Sequence, residues 1–334
     1  MSAGAAKPRV AVVGAGLAGL VAAQRLAEAG CEVSVYEKSR GPGGRCATRR
    51  SDVGPFHHGV AGFGAGSAAF RAALAEWQAR GWAAAGAHGR WAGLPTMNAL
   101  ARQLAEGLAL HTEHTVQPPM RDASGRWQLA TAEHGPLPST HDVLLLAVPA
   151  EQARPLCRQS ALLQAALAGV HGQPCWTLML GWPPETPPGA LPGPPADAAT
   201  LTAGMLSEVV DVSGLPGPAW RRWVLHATPA WSAAHLELSP EAATDAMLQA
   251  LPALGVRTAP THAVAHRWRY AQVAAPAAAA CGWDAALRLG SCGDAWGGGD
   301  GASLPEGVER AWLSGQALAQ AVLASAAFGA STSA

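Results

Sequence analysis

The chain has 334 residues, enough for about two domains of ~150 residues, and 49% of them are hydrophobic, so a sizeable core can be buried. Lys+Arg and Asp+Glu both number 23, a net charge of zero that asks for neither nucleic acid nor an anionic membrane as partner. No apolar run reaches a bilayer span and no apolar leader precedes the first strand, so a cytoplasmic location is expected. Six cysteines, Cys31, Cys46, Cys157, Cys175, Cys281 and Cys292, stand without a C-x-x-C spacing, which argues against a disulfide framework, a zinc site and thiol redox chemistry.

In chain order, Val10 to Val13 read as a short buried strand, Gly14, Gly16 and Gly19 complete G-x-G-x-x-G, and Leu17 to Ala29 carries an apolar stripe at helical spacing. Gly14 allows the turn, Gly16 lets a pyrophosphate approach the backbone, and Gly19 lets the helix press on the strand. The helix start then offers unpaired N–H groups to that anion. Gly30 ends the helix, and Glu32 to Tyr36 form a second strand that delivers Glu37, 21 residues after Gly16. A carboxylate there takes both ribose hydroxyls and repels a 2′-phosphate, so the nucleotide is FAD or NAD, not NADP.

Gly41-Pro42-Gly43-Gly44-Arg45 follows, a second glycine turn whose guanidinium is expected on the same pyrophosphate. This pairing resembles the flavoprotein group of amine oxidases, phytoene desaturases and renalases, and the resemblance selects FAD. Residues 46–66 are rich in Gly and His, including His57-His58-Gly59, and in renalase-like proteins this zone passes the flavin ring. Helices are expected at Ser67 to Ala79 and Met97 to Gly107, with Trp82 to Gly93 between them belonging to a second domain.

From Leu108 the period falls to two, giving strands at Leu108 to Val116, Trp127 to Ala132 and Asp142 to Val148, with a turn at Gly135-Pro136. The last is a buried parallel strand that returns the chain to the nucleotide domain. Strands at Cys175 to Trp182, Thr202 to Val209, Trp223 to Thr228 and Ala263 to Tyr270, with a helix from Ser239 to Leu251, make a mostly antiparallel sheet capping the flavin. Pro183 to Pro195 holds seven prolines and reads as a surface loop or lid. Ala286 to Cys292 is a final strand, followed by Gly293-Asp294 and a helix from Leu304 to about Ala324, with Ser303 and Glu306 as a capping box.

The fold class is therefore α/β: a Rossmann-like nucleotide domain, parallel sheet plus β-meander, and an antiparallel substrate-capping domain with helices. The expected division is 1–75, 97–157 and 276–328 for the nucleotide domain, and 76–96 with 158–275 for the cap. No second G-x-G-x-x-G occurs, so a pyridine nucleotide would enter only as substrate. Metal sites are unpromising: His111 and His114 are expected on opposite faces of one strand, and His262 and His266 have no third ligand.

The stretches VVGAGLAGLVAAQRLAEAGCEVSVYEKSRGPGGR, LPTMNALARQLAEGL, LLLAVPAEQA, PCWTLMLGW, AHRWRYAQV and LGSCGDAW, in that order, resemble the bacterial renalases over nearly the whole chain. The resemblance implies non-covalent FAD held by Gly14, Gly16, Ala18, Gly19, Glu37, Lys38, Gly44, Arg45, Val116, Gly293, Asp294, Gly307 and Val308. It implies oxidation of 2- or 6-dihydro isomers of NAD(P), hydride passing to flavin N5 and then to O2, with NAD(P)+ and hydrogen peroxide as products. His57 to Gly64 and the Gly-rich loop Trp296 to Gly301 depart from the pattern near the ring. Trp268 and Tyr270, on one strand face with His266, and His57 and His58 are the candidates for the catalytic pocket; Arg267 and Arg269 would point away, unless a bulge or the strand end redirects Arg269. Arg221-Arg222 would receive substrate phosphates or lie exposed on a loop.

Two other readings stand beside this one. Amine oxidases share the nucleotide fingerprint but use a lysine near flavin N5, and this chain has only Lys7 and Lys38, both in the nucleotide unit. A flavin-binding regulator without turnover would not need a cap of over a hundred residues. A dihydropyridine, by contrast, drives its own hydride departure and needs chiefly a platform that stacks it.

Overall fold

Val10, Ala11, Val12 and Val13 are all buried, as a strand covered on both faces requires, and the main sheet grows outward from them. The computed structural model describes residues 7–86, 89–297, 299 and 306–325. The first part of the chain runs β1 (Arg9–Val13), α1 (Leu17–Glu28), β2 (Glu32–Tyr36), α2 (Ala68–Ala79), β3 (Ala83–Ala85), β4 (Trp91–Gly93), α3 (Met97–Ala105) and β5 (Ala109–His111). Next come β6 (Met120–Arg121), β7 (Trp127–Thr131), β8 (Gly135–His141), β9 (Val143–Leu146), α4 (Ala150–Leu156) and α5 (Ala161–Leu167). The third part holds β10 (Gly172–Trp182), α6 (Ala198–Leu201), β11 (Leu206–Asp211), β12 (Arg221–Ala227), α7 (Pro229–Ala234), α8 (Pro240–Leu248) and β13 (His262–Val273), before β14 (Gly282–Asp284), β15 (Leu289–Ser291) and α9 (Gly307–Ala324).

The main sheet has the order β14-β15-β9-β1-β2-β5, parallel except for β14. From β1 the chain winds outward to β2 and β5, then returns to β9 on β1's other side, so the crevice above β1 and β9 is the topological switch point where such sheets bind ligands. One face is covered by α1, α3 and α9 through Leu20, Leu26, Leu100 and Leu318; the other carries the β6-β7-β8 meander with α4 and α5 through Trp127, Leu129, Leu156 and Leu163.

The second sheet, β11-β12-β10-β13, is antiparallel throughout. Its outer face buries Trp176, Leu178, Leu180, Trp182 and Trp223 against Ala243 and Met247 of α8 and against Leu191 of the proline-rich segment, which is thereby tied to the cap's core. The inner face carries Met179 and Val224, which meet Val53 and Phe56 of the nucleotide domain. The cap is thus seated on residues 53–56 by apolar contact.

Several elements differ from the sequence expectation. The strand from Leu108 stops at His111, since Glu113 turns the chain with φ 57°, and Val116 reaches the meander only through an isolated bridge to Thr131. His111 and His114 consequently share a side, with ring centroids 5.6 Å apart, in a cluster with Tyr36 and His134. Gly135-Pro136 opens β8 instead of turning the chain. The final strand is shorter, Leu289–Ser291, and α9 begins at Gly307 with Glu306 as its N-cap. Ser303 of the expected capping box lies outside the described residues; the Glu306 carboxylate accepts from Gly64 N at 3.0 Å and Arg90 Nη1 at 2.6 Å. Among the described residues, no helix is long and apolar enough to cross a membrane.

Helices α1 and α9 touch backbone to backbone at Gly315, where an added Cβ would stand 2.4 Å from the Ala18 carbonyl oxygen. Gly315→Val should therefore lower unfolding free energy by about 1–3 kcal/mol. Gly169→Ala, where an added Cβ meets nothing within 4 Å, should leave it unchanged. Urea denaturation of the two variants checks this.

Candidate active site

The three glycines of the first turn have three separable jobs. Gly14 adopts φ 104°, and a Cβ there would lie 2.5 Å from the Ala147 carbonyl, so the turn after β1 presses on the turn after β9. A Cβ on Gly19 would stand 2.1 Å from the Gly14 oxygen, which fixes how closely α1 sits on the strand. At Gly16 nothing lies within 4 Å: a side chain there would enter open space above the switch point. Gly16 caps α1 with no side-chain hydrogen bond, and the first intrahelical bond is Leu20 N to Gly16 O, so the amides of Leu17, Ala18 and Gly19 have no partner within the helix. Open room, free donors and the helix's positive end fit a diphosphate.

Glu37 is 6% exposed at the end of β2. Its carboxylate accepts from Ala15 N and Ser39 N, both at 2.8 Å, which holds it beside the glycine turn while each oxygen keeps a lone pair for a ribose hydroxyl. Lys38 is exposed beside it. Val116 is buried against the Tyr36 and Leu129 cluster beneath the sheet. The second glycine loop closes on the first: Gly43 N donates to Ala15 O at 2.9 Å, and a Cβ on Gly44 would touch the Gly16 Cα at 3.4 Å. The two turns therefore face one groove, and its residues fit the phosphate and adenosine parts of FAD.

Arg45 departs from the expectation. Its guanidinium forms a bidentate pair with Asp294, both bonds 2.6 Å, and also donates to Ala271 O at 3.2 Å at the end of β13. Burial works against the charged guanidinium, but the Asp294 carboxylate outweighs it and its pKa is raised. The cation expected on the pyrophosphate and Asp294, also expected on the cofactor, thus neutralise each other. Gly307 and Val308 start α9 beside them, with Asp294 Oδ2 3.8 Å from where a Gly307 Cβ would be.

The cap's inner face meets this loop at Trp268. Its indole N–H donates to His58 O at 2.9 Å and its ring lies 3.2 Å from where a Gly59 Cβ would stand; that Cβ would also be 2.1 Å from the Arg45 carbonyl oxygen, so only glycine fits there. His58, His266 and Trp268 form a three-ring cluster with centroids 4.7–5.0 Å apart. Across the sheet, Thr177 pairs with His266 on one side and His226 on the other, so His226 belongs to the same face. Sequence reading missed both Thr177 and His226; their alternation within β10 and β12 was visible, but not the register that aligns them. Glu208 holds His226 at Nδ1, 3.4 Å away. His58 Nδ1 and His226 Nε2 are buried without a hydrogen-bond partner, two polar atoms that a ligand could satisfy.

Burial favours the neutral form of His58 and His266. His58 is pushed down to about 3 by burial and then by the nearby His266, Arg49 and His226; His266 is pushed down to about 4, by burial and then by Arg49. His57 has another role: its Nε2 accepts from Met97 N at 2.9 Å, its ring also meets the Ala61 carbonyl, and burial drives it down to about 4. It caps α3 and is committed to backbone. Tyr270 stands further along β13 beside Gly172, past a bulge in β10, and its hydroxyl makes no hydrogen bond among the described residues. Arg267 and Arg269 do point away, both reaching Glu237 on the outer side.

Arg221 and Arg222 do not lie on a loop, and Arg222 is closed to phosphates. They lie on β12; Arg222 is fully buried, donating to the carbonyls of Pro55, Ser213 and Leu215 and so bolting the cap to the loop beneath it. Among the described residues, no group of three or more His, Cys, Asp or Glu side chains could hold a metal.

Comparison with known proteins places this geometry. Residues 12–77 match the NAD(P)-binding Rossmann-like domain family. A hydroxyneurosporene desaturase from Cereibacter sphaeroides is 54% identical over 52 residues, 16% of this chain and 10% of that protein. A zeta-carotene-forming phytoene desaturase from Myxococcus xanthus is 59% identical over 46 residues, 14% of this chain and 9% of that protein. The chain thus spans about a tenth of the length of these curated relatives. Over the whole chain the fold is that of a provisionally named protoporphyrinogen oxidase from Exiguobacterium sp. 255-15 (TM-score 0.71, 13% identity, covering 95% of this chain and 100% of that one). A triple mutant of putrescine oxidase is also similar (TM-score 0.68, 14% identity, covering 95% and 99%).

The buried histidines give the fold an acid limit. His57, His58 and His266 have folded-state pKa values of about 4, 3 and 4, below the ordinary 6.5, so the unfolded chain takes up protons first as pH falls. Their contribution is fully present above pH 6.5 and is lost as pH drops from there towards 4. The urea midpoint should fall steadily between pH 6.5 and pH 4.5; a flat midpoint over that range would contradict the burial of neutral imidazoles.

Proposed function

We propose that the chain is an FAD-dependent oxidoreductase of the renalase type, oxidising 2- or 6-dihydro isomers of NAD(P) with O2 as final acceptor. Bound non-covalently, FAD would supply N5 as hydride acceptor and the route by which two electrons and the accompanying protons reach dioxygen as hydrogen peroxide. The chain's own residues supply the rest. The α1 amides and the open Gly16 would receive the diphosphate, Glu37 the ribose hydroxyls, and the Arg45–Asp294 pair would re-partner with cofactor oxygens.

The observation that carries the substrate class is the chemistry of the cap's inner face. A dihydropyridine that loses hydride becomes a cationic aromatic ring. The face offered to it holds an indole, Trp268, which favours a cation over its ring, and imidazoles held neutral by burial, which do not repel one. Its carboxamide needs one donor and one acceptor, the pair that the unsatisfied His58 Nδ1 and His226 Nε2 can provide. Amine oxidation is disfavoured on the same ground: Lys7 and Lys38, the only lysines of the chain, are exposed at the ends of the nucleotide unit. The likeness to putrescine oxidase is one of fold.

Anaerobic mixing of the flavin-loaded protein with aged, isomer-containing NADH should bleach the flavin rapidly, while benzylamine should not. Trp268→Ala should slow that bleaching about tenfold, roughly the ~1.4 kcal/mol of one good ring contact. Bleaching by benzylamine alone would establish amine oxidation instead, and bleaching by neither would favour a flavin-binding protein without turnover.

A further inference from the structure

We propose that a cavity between the nucleotide domain and the cap, lined by residues other than those assigned to the FAD groove, binds the phosphate groups of an organic phosphate. Resting on the function proposed above, we assign those groups to the diphosphate of the dihydronicotinamide dinucleotide substrate. The cavity has a volume of about 380 Å³ and is formed where loop 48–55, the N-terminal turn of α3 and Pro216 of the cap come together. Arg50 and Arg102 line it, and neither makes a hydrogen bond or ion pair with any described residue. Two guanidinium groups without a carboxylate partner on one cavity offer several donors to an anion.

The surroundings raise the same charge. Arg222 lies directly behind the wall, its Nη1 donating to the Pro55 carbonyl and no carboxylate in ion-pair contact with it. Asp52, on the same loop, acts on His262. The donors must be side chains, since the first two amides of α3 are already taken, Met97 N by His57 and Asn98 N by Thr48 Oγ1 at 3.3 Å. Asn98 keeps its NH2 free, because Thr96 occupies only its carbonyl oxygen. Proline walls without donors suit the sugar between phosphates.

The cavity is also joined to the proposed substrate face. Pro55 lines the cavity, and His58 touches Trp268 only three residues on, a span of at most about 10 Å. A ring stacked on Trp268 could therefore send its ribose-phosphate arm along this loop.

The test uses FAD-loaded protein, so that the cofactor groove is filled, and the double variant Arg50→Gln/Arg102→Gln, whose side chains are exposed and whose melting temperature should match the wild type. ADP binding by calorimetry should weaken at least tenfold in the variant. In rapid-mixing reduction, the half-saturating concentration of a dihydro-NAD isomer should rise about tenfold at unchanged limiting rate, while the phosphate-free dihydronicotinamide riboside isomer is unaffected. Equal ADP affinity in variant and wild type would overturn the site. Loss of ADP binding without reduction by either dihydropyridine would keep the anion site and overturn its assignment to the substrate. Loss of ADP binding with unchanged dinucleotide kinetics would assign the site to a free organic phosphate instead.

Discussion

The contact on which the rest depends is backbone against backbone without side chains between. Gly19 lets α1 rest on the Gly14 carbonyl, Gly14 lets the turn after β1 rest on Ala147 after β9, and Gly315 lets α9 rest on Ala18. Each of these approaches is closer than any Cβ tolerates. Together they draw the start of α1, the middle of α9 and two strand ends against one another and leave Gly16, alone of the set, facing open space. The groove is a consequence of close packing around it; the phosphate-binding geometry needs no charged side chain to define it.

The cap adds a different physics. It is attached by an apolar seat, Val53 and Phe56 under Met179 and Val224, and by Arg222 reaching the Pro55 carbonyl, all on the loop between the second glycine turn and α2. The same loop bears His57, His58 and Gly59, so whatever fixes the cap also fixes the roof over the groove. Desolvation under that roof holds the imidazoles neutral, and the one strong ion pair there, Arg45 with Asp294, joins residues 249 positions apart. Arg45 also donates to the Ala271 carbonyl at the end of β13, so the same guanidinium touches the cap.

How much of this was legible in the sequence follows from the range of the interactions. The β1-α1-β2 unit, the buried parallel β9 and the antiparallel β10 and β13 were readable because periodicity and glycine spacing are local. The outward aim of Arg267 and Arg269 followed from alternation alone. Where a side chain chose a distant partner, local reading failed. Glu306 is drawn to Gly64 and Arg90, far away in sequence; His57 looked like a chemical residue and is a helix cap for Met97. His111 and His114 were misplaced because the strand ends in a left-handed Glu113, a conformation that glycine usually announces and glutamate does not. Arg222, beside Arg221, carried no signal for burial, since its carbonyl partners lie on loops brought together only by the fold.

The most direct measurement is cofactor binding by Gly16→Val. Gly16 has φ −75° and nothing within 4 Å of its Cβ position, so valine leaves the fold and its melting temperature intact while occupying the space meant for the diphosphate. Calorimetric titration with FAD should show binding near one equivalent for the wild-type apoprotein and none for the variant. A variant that takes up FAD as tightly as the wild type would show that the dinucleotide does not lie along this turn.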